Sequence, residues 1–363
     1  MGVETADEMD LVSVVIPAFN AAETIGDTLD SVRRQTHRNL EIVVVDDGST
    51  DSTREIAERH ASEDPRIGII SIPNSGVAEA RNAGIDATRG RLIAPLDADD
   101  LWHPEKLARQ LDVLNRGGPS MGFVYTGFRR IDVCNRVMGG GFLEVCEGWV
   151  FLHSVFSNFV GNGSSLLIRR EALEQIGGYS SELRDHGVEG AEDRLVQILI
   201  SRQWTVGAVP ACLTGYRQRP DAMSKNQPRM LRSQLMIYDI VERRHPEIPA
   251  WILNAARSCF EVRLAMRLAI KLKLRAAAAA LLRATLHSPR STLIEVKVQL
   301  PIYTRRAWQK CAKLVNNMPV LRTAPGPSFY EVDPDTDISQ KRYDHFHDLI
   351  ERVAGEEHIL RCC

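Results

Sequence analysis

The first third of the chain alternates between two spacings of apolar residues. Continuous apolar, β-branched runs at Val12–Pro17, Leu40–Val45 and Ile67–Ile72, and a fourth beginning at Leu92, predict strands buried on both faces. Between them the period becomes helical: Ile25, Leu29 and Val32 mark a helix within Ala22–Gln35, and Ser52–Ala61, Val77–Ala87 and Pro104–Asn115 follow the same rule. Four strands each followed by a helix predict an α/β fold with a mostly parallel sheet covered on both faces, because parallel neighbours need crossover helices. Further on, Gly122–Thr126, Asn162–Arg169 and Thr205–Val209 read as strands. Glu171–Ile176 reads as a short helix stopped by Gly177 and Gly178, and Leu195, Ile198 and Leu199 mark another running to about Arg202. The glycine-rich stretch Gly139–Gly148 has no clear period. From Gln234 onward the pattern is helical, and Ala256–Thr285 carries a stripe of Leu264, Leu268 and Leu272 beside Arg263, Arg267, Lys271 and Arg275.

In parallel sheets, ligands gather at the carboxyl ends of the strands. Here those ends are polar or acidic: Asn20 follows the first strand, Asp46 and Asp47 the second, and Asp97, Asp99 and Asp100 the fourth. Carboxylates packed this closely raise one another's pKa or recruit a cation, and hard oxygen donors suit Mg²⁺ or Mn²⁺. The rival reading of Asp99 and Asp100 is helix capping ahead of Pro104, and that of Asp46–Asp47–Gly48–Ser49 is a capped turn. No G-x-G-x-x-G follows the first strand and no G-x-x-x-x-G-K-[ST] occurs, which disfavours a dinucleotide or P-loop site.

Charge divides the chain. Residues 225–322 hold 19 Lys and Arg against 5 Asp and Glu, whereas the first 224 residues are net acidic. A basic amphipathic region, with Arg305, Arg306, Lys310 and Lys313 around Trp308, suits either an anionic membrane surface or a helical cap on the acidic N-terminal part. No nucleic-acid reading motif accompanies it. The acidic, proline-containing segment 323–363 is expected to be partly flexible. The N-terminus lacks the layout of a secretory signal and no apolar run reaches membrane-spanning length, so a cytoplasmic location is expected, peripheral to the membrane if the basic helices touch it. Seven cysteines without a CxxC pair agree with a reducing compartment, and Cys362–Cys363 lacks an upstream lipidation pattern.

The ordered set VSVVIPAFN, VVVDDGSTD, GVAEARNAG, LDADD, GGY and EDRL resembles the family 2 glycosyltransferases of the GT-A fold over about residues 11–224. The resemblance implies a Rossmann-like catalytic domain with residues 225–322 as a helical extension. It also implies transfer of a sugar from a nucleoside-diphosphate donor, usually a UDP-sugar, to an acceptor hydroxyl with inversion, in the synthesis of a surface polysaccharide or glycolipid. The acceptor would be a saccharide or a lipid-linked acceptor. Pro17, Ala18 and Asn20 would wall the nucleotide pocket, Asp47 would contact the base with Asp46 close by, and Arg81 and Asp97 would face the donor. Asp99 would hold the Mn²⁺ or Mg²⁺ on the diphosphate, Asp193 would be the base, and Tyr179 and Glu192 would border the acceptor. Arg217, after Tyr216, is a candidate for the pyrophosphate. The Q-x-x-R-W mark of processive relatives is absent, which points to single-sugar transfer, and Arg194 stands where a Trp is frequent. A nucleotidyltransferase would want a glycine- and lysine-rich loop after the first strand, where Pro17-Ala18-Phe19-Asn20 stands instead. A sugar-binding scaffold would not need Asp97, Asp99 and Asp193 together.

Overall fold

A computed structural model describes residues 11–219, 227–301, 326–336 and 338–340. The predicted parallel core is present: β1 (Val12–Ala18), β2 (Leu40–Asp46), β3 (Ile67–Ser71) and β4 (Leu92–Pro95) lie side by side in the order β4-β1-β2-β3, all parallel. Helices Ile25–Arg33, Thr53–Glu63 and Lys106–Gly117 cover one face, where Leu29, Ala57 and Leu111 share a core with Val14 and Val44. Helix Val77–Asp86 lies on the other. Its Gly84 faces β1 and β2 so closely that a Cβ there would sit 2.5 Å from Val15 Cγ1 and 2.9 Å from Val45 Cγ2. Glycine is what lets this helix approach the sheet.

The sheet continues past β4 with mixed strand directions. In chain order the remaining strands are β5 (Leu101–Trp102), β6 (Met121–Ile131), β7 (Gly141–Leu143), β8 (Leu166–Arg169), β9 (Thr205–Arg217) and β10 (Ile338–Gln340). β8 runs antiparallel to β4 and to β6, while β6 and β9 pair in parallel along most of their length. Both long strands exceed the predicted Gly122–Thr126 and Thr205–Val209, because their polar second halves, with Arg129, Thr214 and Arg217, are buried rather than solvated. The unassigned glycine-rich stretch supplies β7. The expected strand Asn162–Arg169 begins instead with a 3-10 turn, Gly163–Ser165.

Two expectations for the C-terminal part change. The Ala256–Thr285 stretch is two helices, Ala250–Ile270 and Leu274–His287, broken where Leu272 adopts φ 56. Arg263 leaves the predicted surface stripe and points inward, pairing Nε with Glu295 Oε1 at 2.8 Å and stacking over Phe260. Helices Gln227–Arg244 and Ala250–Ile270 share one core with the part of the chain that carries the sheet: Tyr238, Ile252 and Phe260 pack with Phe156, Leu195 and Leu199. Residues 326–336, the described stretch of the acidic segment 323–363, fold back on the sheet, with Phe329 buried and Asp335 paired to Arg109 at 2.7 Å. Trp308 with its basic neighbours, and Cys362–Cys363, lie outside the described residues.

Candidate active site

The carboxyl ends of β2, β1 and β4 stand next to one another, and the loops leaving them are stitched together. Asn20, at φ 48, accepts the Thr50 N–H on Oδ1 at 2.9 Å, and its own N–H donates to Ser49 Oγ at 3.1 Å. Ala21 N–H donates to Thr53 Oγ1 at 2.7 Å, and Asp47 N–H to the Ala18 carbonyl at 2.8 Å. Pro17 and Ala18 are buried beneath this seam. Asp46 accepts the Ser49 N–H at 3.0 Å. Asp47 accepts Ser75 N–H at 2.6 Å and Gly76 N–H at 2.9 Å, one on each carboxylate oxygen, immediately before helix Val77–Asp86. These two buried acids therefore build the wall of the cleft, and their side chains are already engaged by backbone donors.

Beyond β4 the chain makes a tight turn, closed by Asp100 N–H to the Asp97 carbonyl at 3.0 Å, so the three aspartates fan around one point instead of sharing a strand face. Neighbouring elements hold the turn from every side. Thr24 and Thr28 donate to the Ala98 carbonyl at 2.8 and 3.0 Å, and Arg217 Nε donates to the Asp99 carbonyl at 2.6 Å. Asp100 is fully buried and accepts Ser164 Oγ–H at 2.6 Å and Arg217 N–H at 3.0 Å, which is a scaffolding role. Arg217 also donates to the Asp132 and Val133 carbonyls, so its guanidinium faces inward and braces the turn rather than the pyrophosphate site it was a candidate for. Sequence reasoning missed Ser164, which links Asp97 N–H and the Asp100 carboxylate. The signal was the polar Asn162-Gly163-Ser164-Ser165 run, too polar for the opening of a buried strand.

Asp97 and Asp99 remain partly accessible. Arg81, buried on helix Val77–Asp86, donates from Nη2 to Asp97 Oδ1 at 2.5 Å and lies 5.1 Å over the Tyr179 ring. Burial disfavours its charge, but Asp97, Asp193 and Glu192 around it hold its pKa above the ordinary value. A Cβ built on Gly163 would sit 3.4 Å from Arg81 Nη2 and 3.5 Å from Asp193 Cβ, so those two atoms lie within about 7 Å of each other. Asp193 stands in the first turn of helix Glu192–Ser201. Burial, opposed by Arg81 and reinforced by Glu192 and Asp97, pushes its pKa up to about 6. The Asp99 carboxyl is also pushed up to about 6, by burial and by Asp97, against the pull of Arg219 and Arg217. Arg81, Asp97, Asp99, Tyr179 and Asp193 thus come together at one end of the sheet.

Tyr179 and Glu192, which the resemblance would put on the acceptor side, are more enclosed. Glu192 is buried and folds back on the Gly190 N–H at 2.9 Å, shaping its own loop. Tyr179 is held by Asn82 through both its backbone groups, at 2.9 and 2.8 Å, and its hydroxyl is buried without a hydrogen bond among the described residues. Next to Asp193, Arg194 turns the opposite way. It donates to the Val155 carbonyl at 2.9 Å, to Tyr238 Oη at 3.1 Å and to Gln234, and stacks 4.5 Å over Phe260. Arg194 thus fastens the C-terminal helical layer to the part of the chain that carries the sheet.

The Asp97 and Asp99 carboxylates, two hard oxygen donors within one turn, with Asp97 helping to push the Asp99 pKa up, suit a divalent ion of the Mg²⁺ or Mn²⁺ class.

Residues 13–177 match the sequence model described as glycosyl transferase family 2. A Bacillus subtilis protein named as a teichuronic acid biosynthesis glycosyltransferase, TuaG, is 30% identical over 243 residues, covering 66% of this chain and 92% of that one. Other relatives are much longer: Escherichia coli chondroitin synthase is 36% identical over 138 residues, which is 38% of this chain and 20% of that protein. Among solved structures, a Pyrobaculum calidifontis mannosyltransferase in complex with GDP-Man and Mn²⁺ has a TM-score of 0.55 at 23% identity, covering 84% of this chain and 86% of that one. Residues 1–349 of Staphylococcus aureus TarS, in complex with UDP-GlcNAc, have a TM-score of 0.54 at 15% identity, covering 79% and 90%. At these identities the structures speak for the fold, which is the same curled, mostly parallel sheet flanked by helices.

Proposed function

The chain belongs to glycosyltransferase family 2, and from that premise we propose that it moves one sugar from a UDP-sugar to an acceptor hydroxyl, inverting the anomeric carbon. The observation that carries this reading is the meeting of Asp97, Asp99 and Asp193 around Arg81 at the carboxyl ends of neighbouring strands. In this reading Pro17, Ala18, Asn20, Asp46 and Asp47 shape the nucleotide pocket, and Arg81 and Asp97 face the donor. Asp193, poised near pH 6, takes the acceptor's proton as its oxygen attacks, with Tyr179 and Glu192 lining the acceptor side. Asp99, with Asp97, would hold Mn²⁺ or Mg²⁺, which when bound supplies charge stabilisation at the departing diphosphate. Arg81 orients Asp97 through its hydrogen bond and holds down the pKa of Asp193.

Residues 11–224 form the catalytic domain in this proposal and residues 225–322 a helical layer. The product is a surface polysaccharide or glycolipid, in keeping with the teichuronic acid assignment of the Bacillus relative. Among the described residues no helix is long and apolar enough to cross a membrane. The helical layer instead exposes Leu272, Leu274, Leu282, Leu286 and Leu293 beside Lys271, Lys273, Arg275 and Arg290, which supports docking on an anionic lipid surface from the cytoplasmic side.

The experiment is a thermal-shift and nucleotide-release panel of UDP-, GDP- and dTDP-sugars with Mn²⁺ or Mg²⁺. Stabilisation and UDP release with at least one UDP-sugar are expected. A response confined to GDP-sugars would move the donor class, and no response to any would overturn the enzymatic reading.

A further inference from the structure

A second group of chemically able side chains lies outside the aspartate cleft. Glu144 follows β7, Cys146 stands two residues later, and His153 lies on helix Phe151–Phe156; their ligand atoms are all within 4.8 Å of one another. The phenol of Tyr125, on β6, fixes the loop that carries the first two. Its hydroxyl donates to the Glu144 carbonyl at 2.6 Å and accepts the Cys146 N–H at 2.7 Å. Glu144 is 5% exposed, with Oε1 at 2.6 Å from His153 Nε2 and 3.8 Å from Cys146 Sγ. Its other oxygen, Oε2, is buried with no hydrogen-bond partner among the described residues.

We propose that Glu144, Cys146 and His153 form a binding site for a zinc-class divalent cation, separate in chemistry from the aspartate turn. A buried carboxylate oxygen left without a donor is costly, and here it lies among two further ligand types. A thiolate, a carboxylate and a neutral imidazole together balance a 2+ charge. Sulfur and nitrogen donors select zinc-class ions over Mg²⁺ and Mn²⁺. Zn–S near 2.3 Å and Zn–N near 2.0 Å place tetrahedral donors about 3.3–3.8 Å apart. The 2.6 Å contact between His153 Nε2 and Glu144 Oε1 is too short for both atoms to bind one ion, so the free Oε2 is the carboxylate ligand, reached by rotating the carboxyl. On binding, the Cys146 thiol loses its proton to solvent and the imidazole carries its proton on Nδ1, leaving Nε2 as the donor to the metal. Three protein ligands leave a fourth position for water.

The role this geometry supports is a clamp. Helix Phe151–Phe156, which carries His153, packs against helix Glu192–Ser201, with Ser154 and Ser201 hydroxyls 2.8 Å apart, so the ion would tie the β7 loop to the support of the Asp193 helix.

Metal-stripped full-length protein and its Cys146→Ser and Glu144→Gln variants would be titrated with Zn²⁺ against a chromogenic chelator, and separately with Co²⁺. The wild type is expected to take up one competed zinc, to show the sulfur-to-cobalt charge-transfer band, to gain melting temperature and to protect the Cys146 peptide from alkylation. Each variant, checked for native circular dichroism, is expected to bind at least tenfold more weakly, and the serine variant to lose the band. Mn²⁺ is expected to protect nothing. Absence of zinc uptake at stoichiometric concentration, or uptake unchanged in both variants, would overturn the proposal; neither result bears on sugar transfer.

Discussion

Replacing Arg81 by methionine tests the electrostatic design of the cleft. The guanidinium lies within about 7 Å of the Asp193 side chain at its Cβ, and at an effective dielectric of about 20 a unit charge at that distance is worth about 2 kcal/mol. That corresponds to between one and two pKa units. Arg81 holds the Asp193 pKa down, so its removal moves that pKa upward from about 6. A general base works when deprotonated, so the acid limb of the pH–rate profile, near pH 6 in the wild type, is expected to move to between about 7 and 8. The rate at pH 7 should fall further, because Asp97 loses the partner that donates to it at 2.5 Å. The assay is nucleotide release from the best donor of the panel, followed from pH 5 to 9 for wild type, Arg81→Met and Arg81→Lys. Lysine keeps the charge and is expected to leave the limb near its original position while lowering the rate, separating charge from packing. An unshifted limb in Arg81→Met, with the variant folded, would refute the coupling.

Asp193→Asn is expected to lower turnover by about 10²–10⁴, the usual contribution of a positioned base, while donor binding by thermal shift stays within a few-fold of wild type. Unchanged turnover would remove Asp193 from the chemistry. Gly84→Ala places a methyl 2.5 Å from Val15 Cγ1, and the overpacking should cost about 1–3 kcal/mol in chemical denaturation without altering donor preference. A stability equal to wild type would show that the Val77–Asp86 helix can draw back from β1. For the lipid surface, Leu282→Asp with Leu286→Asp should weaken co-sedimentation with anionic vesicles at least tenfold, about 1.4 kcal/mol, leaving solution activity intact. Equal pelleting of both proteins would remove the membrane contact.

The parts of the fold legible in the sequence were those governed by short-range periodicity. The four leading strands and their helices follow directly from apolar spacing, and the polar residues at their ends lie along one edge. What was not legible depends on partners distant along the chain. β6 and β9 run longer than their apolar stretches because Arg129 and Arg217 find carbonyl acceptors inside the protein, at Asp333 for the first and Asp99 and Asp132 for the second. Asp97, Asp99 and Asp100 look alike in sequence, yet only the fold assigns one to Arg81 and another to Ser164. Arg263 sat in a regular basic stripe, and nothing local to it announced that Glu295, on the next helical layer, would draw it inward.

Consecutive residues at the start of helix Glu192–Ser201 serve opposite sides of the molecule. Asp193 looks into the cleft while Arg194 is bolted to Gln234 and Tyr238 of the C-terminal layer. Grafting the first 219 residues onto a foreign C-terminus would strand a guanidinium in an apolar bed one residue from Asp193. Exchange of either part between related proteins therefore has to carry both halves of this joint as a unit.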